Sequence, residues 1–157
     1  MKEKNFLVIS VVRDLTDNTL LVVRKKEEGC RPTKDAFPAD IKPIGENEIQ
    51  CAIRATYEQT GVTIKNPVEV ARVNVEVQIL GADNSYEAVF VLSTQFSGSL
   101  HPAAGTDVVW QKEEEIRCES TLPAYILRHI LAGHYLSGTY NYADDEFTEF
   151  SVRDRAW

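Results

Sequence analysis

Four charged residues that could support chemistry stand within one stretch of the chain, residues 37–62. Asp40, Glu46 and Glu58 carry carboxylates, and Arg54 lies four residues before Glu58. Carboxylate oxygens are the ligands that Mg²⁺ prefers in proteins, so the three acids are candidate metal ligands. An arginine four residues from a glutamate on a helix also forms an ion pair with it. The same residues therefore predict either a cation site or a salt-bridged helix face.

The element that must position these side chains is predicted to be an amphipathic helix, preceded by an extended segment and a tight loop. Asn47 can cap the helix, and Gln50 can reach back to the Asn47 amide as in a capping box. Spacings of three and four predict a buried stripe made of Ile49, Ala52, Ile53 and Thr56. Gly61 stands where a helix ends in the left-handed conformation. The helix is expected over about residues 47–60, with its charged side chains on the opposite face.

This stretch resembles the signature of the Nudix hydrolases, G-x5-E-x7-R-E-U-x-E-E-x-G-U, in which U is a bulky aliphatic residue. Placed without gaps, the signature covers residues 40–62. Five of its nine fixed positions carry the expected type, namely Glu46, Arg54, Glu58, Gly61 and Val62. The other four carry Asp40, Ala55, Thr56 and Gln59. The box is therefore degenerate, and two of its glutamates are absent.

In that family the acids of the box hold Mg²⁺ or Mn²⁺, which screens a substrate diphosphate and activates water. The resemblance implies catalytic roles for Glu58 and Arg54 and metal ligation by Glu58 and Glu46. Asp40 stands where the signature has glycine, so it either replaces a lost carboxylate as a metal ligand or changes the path of the loop. On the helix face, Glu58 beside the neutral amide of Gln59 makes a poor magnesium site, and losing a general base costs roughly 10²- to 10⁴-fold in rate. Two functions stay open. The first is a Mg²⁺- or Mn²⁺-dependent hydrolase of a nucleoside diphosphate derivative, slow or using displaced ligands such as Asp40 or Asp107. The second is an inactive domain that binds a nucleotide or a protein partner.

The residues also have structural interpretations. Glu46 can hold loop amides near the helix N-terminus, where negative charge is favourable. Cys51 is expected to be a small buried group. His101 lies in a loop from which related domains often supply a further glutamate. His129 and His134 are predicted to lie five residues apart on the final helix, so they would not share a face and are expected to be surface or packing residues.

Composition narrows the class of protein. A chain of 157 residues with 43% hydrophobic and 26% charged residues is long enough for one domain with a core. The net charge of −7 argues against a DNA groove, although a nucleotide can still bind through a metal or a local basic pocket. The N-terminal apolar run, which ends at Arg13, is too short for a membrane span or a signal peptide. Three widely spaced cysteines, Cys30, Cys51 and Cys118, favour a reducing compartment. We expect a cytoplasmic domain with no membrane partner.

The remaining pattern predicts an opening hairpin at residues 5–13 and 19–24 and two long antiparallel strands at residues 67–80 and 86–96. A strand that carries a tryptophan is predicted at residues 107–111, and a final helix from residue 121 onward. This order is also similar to Nudix domains, and it implies an α/β fold, an α/β/α sandwich with a mixed β-sheet. One Nudix-like domain is expected over residues 1–135. Residues 136–157 are expected to form an aromatic and acidic C-terminal extension that packs on its own domain or on a second copy, as in a homodimer.

Overall fold

Twelve strands and two α-helices follow one another in the described part of the chain. A computed structural model describes residues 5–25, 35–117 and 121–155. The helices are α1 (Glu48–Thr60) and α2 (Thr121–Leu131). The strands are β1 (Asn5–Asp14), β2 (Thr19–Lys25), β3 (Ala39–Ile41), β4 (Thr63–Lys65), β5 (Val68–Glu76), β6 (Gln78–Ile79), β7 (Ala82–Asp83), β8 (Tyr86–Ser93), β9 (Gln95–Ser97), β10 (Thr106–Lys112), β11 (His134–Asn141) and β12 (Glu146–Asp154). A short 3₁₀ turn covers Glu113–Glu115.

Eight strands of the described residues form one mixed sheet. Its order is β10-β2-β1-β8-β5-β11-β12, and β3 pairs with β1 as well. β1 is parallel to β8 and β5 is parallel to β11, whereas the other pairs are antiparallel. β2 pairs with the C-terminal end of β1, at Arg13 and Asp14. β3 pairs with the same edge of β1 nearer its N-terminal end, at Leu7 to Ile9. β3 then leads through a short loop into α1.

The two helices cover opposite faces of this sheet. Successive side chains of a strand point to opposite faces, so alternate residues of β1 enter different clusters. Val8 and Val12 pack in a cluster with Ala52 of α1, and Val11 packs in the cluster that contains Ile126 of α2. The predicted α/β/α sandwich with a mixed sheet is confirmed.

Helix α1 begins and ends where the sequence predicts. Asn47 Oδ1 accepts a hydrogen bond from the Gln50 amide at 2.8 Å, and the Asn47 amide donates to Gln50 Oε1 at 3.0 Å. Gly61 ends the helix at φ +83°, and its amide donates to the Tyr57 carbonyl at 2.8 Å. A Cβ at Gly61 would lie 2.5 Å from the Ser99 carbonyl oxygen, so both the backbone angle and the close approach require glycine.

The C-terminal strands extend the main sheet. β11 crosses residue 135, pairs in parallel with β5 and places Leu136 opposite Ala71. β12 pairs with β11 and lies at the end of the sheet. Most of the predicted extension therefore lies in this sheet, and Phe147 and Phe150 contact Tyr125 of α2. The division into a domain and an extension at residue 135 stays a prediction.

His129 and His134 lie on different elements, and Cys51 is the cysteine that the structure describes. The prediction that His129 and His134 share one helix was wrong, because α2 ends at Leu131 and the chain turns at Gly133, where φ is +85°. Cys30 and Cys118 lie outside the described residues, whereas Cys51 is buried and free. No helix in the described ranges is both long enough and apolar enough to cross a membrane.

Candidate functional site

The four residues predicted to form the site meet at one guanidinium. Arg54 Nε lies 2.9 Å from Glu46 Oε2, and Nη2 lies 3.0 Å from the other oxygen of Glu46. Arg54 Nη1 donates to Glu58 Oε2 at 2.9 Å, and Nη2 donates to Asp40 Oδ2 at 3.1 Å. We call these four residues the Arg54 cluster. The pairing with Glu46 is bidentate, which fixes its geometry more strongly than a single bond would.

Three adjacent elements supply the Arg54 cluster. Asp40 comes from β3, Glu46 from the loop after it, and Arg54 and Glu58 from α1. The side chain of Glu46 is 19% exposed, that of Asp40 44% and that of Glu58 59%. Arg54 therefore bonds one largely buried carboxylate and two more exposed ones. These bonds connect β3 and the loop after it to α1.

The charges of the Arg54 cluster stabilise one another. Hydrogen bonds from Arg54 hold the pKa of Glu46 below its usual range. The bonds to Glu46 and Asp40 raise the pKa of Arg54 in turn. Three carboxylates and one guanidinium leave a formal charge of −2. Both oxygens of Glu46 and one oxygen each of Asp40 and Glu58 are bonded to Arg54, so a cation would have to compete with the guanidinium for them.

The positions of the two absent glutamates have other roles. Ala55 is only 1% exposed, so its side chain lies in the interior. Gln59 binds the backbone of Ala39 in both directions: Gln59 Nε2 donates to the carbonyl at 2.7 Å, and Gln59 Oε1 accepts from the amide at 3.2 Å. An ionised glutamate has no donor, so it could make only one of these bonds. The amide at 59 holds α1 against β3.

The residues present do not fit a magnesium site of the kind that the resemblance implies. In the described part of the chain, no group of three or more His, Cys, Asp or Glu side chains is arranged to hold a metal ion. Mg²⁺ requires near-octahedral oxygen ligands and gives up its waters reluctantly. Carboxylates that point at a shared arginine do not offer that geometry. The metal-binding roles of Glu58, Glu46 and Asp40, and the catalytic roles of Glu58 and Arg54, stay predictions.

Three other candidates lie apart from this arrangement or are chemically inert in it. Asp107 lies in β10, opposite Arg24 of β2. His101 lies beyond the end of α1, where its amide donates to the Thr60 carbonyl at 2.7 Å. Cys51 does lie beside the Arg54 cluster, but burial and the charge of Glu46 raise the pKa of its thiol to about 11. The Cys51 thiol is therefore protonated at neutral pH and is a poor nucleophile.

Comparison with known proteins gives a fold. No protein-family model matches the sequence, and no curated protein sequence is significantly similar to it. The structure of the mutator MutT protein from Bacillus halodurans is similar with a TM-score of 0.75 and 19% identity, over 94% of this chain and 97% of that chain. A NUDIX hydrolase from Nitrosomonas europaea is similar with a TM-score of 0.66 and 20% identity, over 83% of this chain and 90% of that chain. This chain has the Nudix fold.

A third structure with the Nudix fold was determined with a ligand. The NUDIX domain of Shewanella oneidensis NrtR, complexed with ADP ribose, is similar with a TM-score of 0.62 and 15% identity, over 83% of this chain and 90% of that chain. At these identities the likeness establishes the fold alone. Helix α1 is the element on which the sequence places the Nudix-like signature, and the degenerate box stays a prediction.

Sequence reasoning missed contacts that join distant parts of the Nudix fold. Arg72 of β5 donates to Glu69 at 2.7 Å and to Glu87 of β8 at 3.2 Å. The hydroxyl of Tyr135, which lies 66 residues after Glu69 in the chain, also donates to the Glu69 carboxylate. Burial and this carboxylate together raise the pKa of Tyr135 to about 12. His129 and His134 meet as well. Arg72 and Glu69 are only three residues apart, but the contacts with Glu87 and Tyr135 form only when distant strands pair. The contact between the histidines depends on the turn at Gly133.

Proposed function

We propose that this chain is a Nudix-fold domain that binds a nucleoside diphosphate derivative and does not hydrolyse it through the box helix. The observation that carries the proposal is the Arg54 cluster, in which one guanidinium engages Asp40, Glu46 and Glu58. The interior position of Ala55 and the backbone bonds of Gln59 support it, since neither position offers a ligand. The complex of the NrtR NUDIX domain with ADP ribose supports the class of ligand.

The charge of the Arg54 cluster determines how such a ligand would bind. A formal charge of −2 repels a diphosphate that approaches without a cation. The phosphates of the ligand are therefore expected to contact basic groups away from Glu58. Binding should then be indifferent to Mg²⁺ and to the charge of Glu58.

The test uses ADP ribose as the probe with the full chain. Calorimetric titration is done with Mg²⁺ and again with a chelator, and cleavage of the diphosphate is followed by chromatography. We expect equal affinity in both conditions and no cleavage above the rate without protein. Glu58→Gln should leave the affinity unchanged, and Glu149→Gln, on the exposed strand β12, is a matched control for the charge change. Affinity that is lost with chelator, or no binding at all, would overturn the proposal.

A second candidate function is the Mg²⁺- or Mn²⁺-dependent hydrolysis of a nucleoside diphosphate derivative. One observation favours it: Asp40 and Glu58 are the most exposed acids of the Arg54 cluster and reach the same guanidinium. A cation that displaced Arg54 would meet both carboxylates. Metal-dependent cleavage of ADP ribose, abolished by Glu58→Gln and retained by Glu149→Gln, would establish this function in place of the first.

The predicted homodimer through the C-terminal segment is also a proposal. It is supported by β12, which ends the main sheet and has no strand paired with its outer edge among the described residues. Phe150 on this strand is 52% exposed. Light scattering during size-exclusion chromatography should give twice the monomer mass, and Phe150→Glu should reduce it. A monomeric mass for the unaltered chain at high concentration would refute the dimer.

A further inference from the structure

Two histidines meet at the junction between α2 and β11. His129 lies in the last turn of α2, and His134 is the first residue of β11. Their Nδ1 atoms are 3.1 Å apart, and their ring centroids are 5.4 Å apart. Both rings are half-buried. Two imidazole nitrogens from two different elements thus lie within hydrogen-bond distance of each other.

The protein holds this pair in place from several sides. The Arg155 guanidinium donates to the carbonyls of His134 and Ile130, which fixes the end of α2 against the start of β11. The Arg155 amide donates to the Gly133 carbonyl at 2.9 Å, within the turn that joins the two elements. Tyr125 packs edge-on against His129 with ring centroids 4.8 Å apart. These contacts fix the backbone of the α2–β11 junction and support one side of the His129 ring.

We propose that His129 and His134 form a binding site for a transition-metal ion of the Zn²⁺ type, with both Nδ1 atoms as ligands. Two imidazoles at 2.0–2.1 Å from a tetrahedral zinc have nitrogens about 3.3 Å apart, which is close to the 3.1 Å separation of this pair. Metal binding also requires both rings to turn until their Nδ1 lone pairs converge on the ion. Asp154 Oδ1 lies 3.5 Å from His134 Nε2, on the far side of the ring. A carboxylate at the outer nitrogen is the usual support of a metal-bound histidine. Water completes the coordination.

The charges around the pair determine which metal it accepts. Arg128 precedes His129, Arg155 binds the His134 carbonyl, and Asp154 lies beside His134, so positive and negative charges both lie near the pair. Affinity must then come from the imidazole nitrogens rather than from net charge. Imidazole suits Zn²⁺, Ni²⁺ and Cu²⁺, whereas Mg²⁺ prefers carboxylate and water oxygens. Burial, His134 and Arg128 also lower the pKa of His129, which favours the neutral ring that a metal ligand requires.

The tautomer of His129 gives a direct readout. Without metal, a hydrogen bond between the two Nδ1 atoms requires that one carry the proton and the other accept it. Asp154 favours a proton on His134 Nε2, which leaves His134 Nδ1 as the acceptor and His129 Nδ1 as the donor. Metal bound to both Nδ1 atoms moves the His129 proton to Nε2. His134 keeps its tautomer.

The experiment is a titration of the full chain, labelled with ¹⁵N, with Zn²⁺ alone at pH 7.5, followed by histidine side-chain NMR and by calorimetry. We expect one equivalent of Zn²⁺ to convert His129 to the Nε2–H tautomer and to shift both His129 and His134. His101, which lies in a different loop, should be unaffected. An equal concentration of Mg²⁺ should change none of the three. Unchanged His129 and His134 resonances at saturating Zn²⁺ would overturn the proposal without any variant.

Variants separate this site from zinc bound elsewhere, for example at a cysteine. His129→Gln and His134→Gln should each remove the high-affinity phase, and His101→Gln is the matched control that should retain it. Asp154→Asn should weaken binding about 10- to 100-fold, as expected for an outer support. Thermal unfolding confirms that each variant is folded. Undiminished Zn²⁺ affinity in a folded His129→Gln, His134→Gln double variant would refute the assignment.

Discussion

The substitution Ala55→Glu restores a glutamate of the Nudix signature, yet we expect it to destabilise the protein. Ala55 is 1% exposed on α1, so a glutamate there must bury its carboxylate or displace its neighbours. An ion removed from water costs several kcal/mol even after relaxation. About 3–5 kcal/mol is a large part of the roughly 5–15 kcal/mol that stabilises a typical domain. In a chain of this size each kcal/mol shifts the Tm by about 2–4 °C, which predicts a drop of roughly 6–20 °C.

The assay is thermal and urea unfolding of Ala55→Glu beside two controls. Ala55→Gln adds nearly the same volume without charge, so the difference between the two variants isolates the cost of the carboxylate. Tyr57→Glu places the same charge on the same helix at a residue that is 59% exposed, and its stability should change by no more than about 0.5 kcal/mol.

The dependence on pH adds a further check on the same variant. Burial raises the pKa of a carboxyl, so the folded Ala55→Glu protein binds a proton that the unfolded chain has lost at neutral pH. Lowering the pH toward 5 should therefore reduce the difference in unfolding free energy between Ala55→Glu and Ala55→Gln. Equal stability of these two variants at pH 7, together with stabilisation by Mg²⁺, would refute the reasoning and would mean that the helix face can still be rebuilt into a metal site.

Two further predictions concern the supports of the fold. Gln59→Ala removes both hydrogen bonds to the backbone of β3 and should lower the free energy of unfolding in urea by roughly 1–3 kcal/mol. Gln78→Ala, at an exposed residue, is the control and should change it little. Equal effects of the two variants would contradict the structural role of the Gln59 amide. Burial of Glu69 disfavours its charge, but hydrogen bonds from Arg72 and Tyr135 outweigh burial and hold its pKa below the usual value. The contribution of Glu69 to stability is full above the unfolded pKa of about 4.3 and is lost as the pH falls through the lower folded pKa. Glu69→Gln should therefore lose less stability than the unaltered chain between pH 5 and pH 3. Parallel plots of unfolding free energy against pH for the two proteins would contradict this prediction.

Local chemistry determined the helix of the box. The capping pair Asn47 and Gln50, the apolar spacing and the left-handed glycine at 61 act over a few residues, so they could be recognised without knowledge of the fold. The same holds for the strands, because alternation and β-branched residues are properties of short segments. The four residues of the Arg54 cluster were also identifiable, since three of them match the signature at fixed spacing.

Tertiary structure decided what those residues do. The sequence left Asp40 as either a displaced ligand or an altered loop residue, and the pairing of β3 with β1 brings it to Arg54. The burial of Ala55 depends on how α1 packs on the sheet, and the role of Gln59 depends on the backbone of β3. No spacing rule contains either contact.

The C-terminal segment shows the same contrast between what the sequence predicts and what the fold determines. Its aromatic residues predicted a packed segment, but their place in the sheet follows from the parallel pairing of β11 with β5, which are far apart in the chain. The meeting of His129 with His134 likewise depends on a helix that ends at Leu131 and a turn at Gly133. Sequence alone specified the elements and the candidate acids. Long-range pairing determined their partners, because a side chain's electrostatic environment exists only once distant strands have come together.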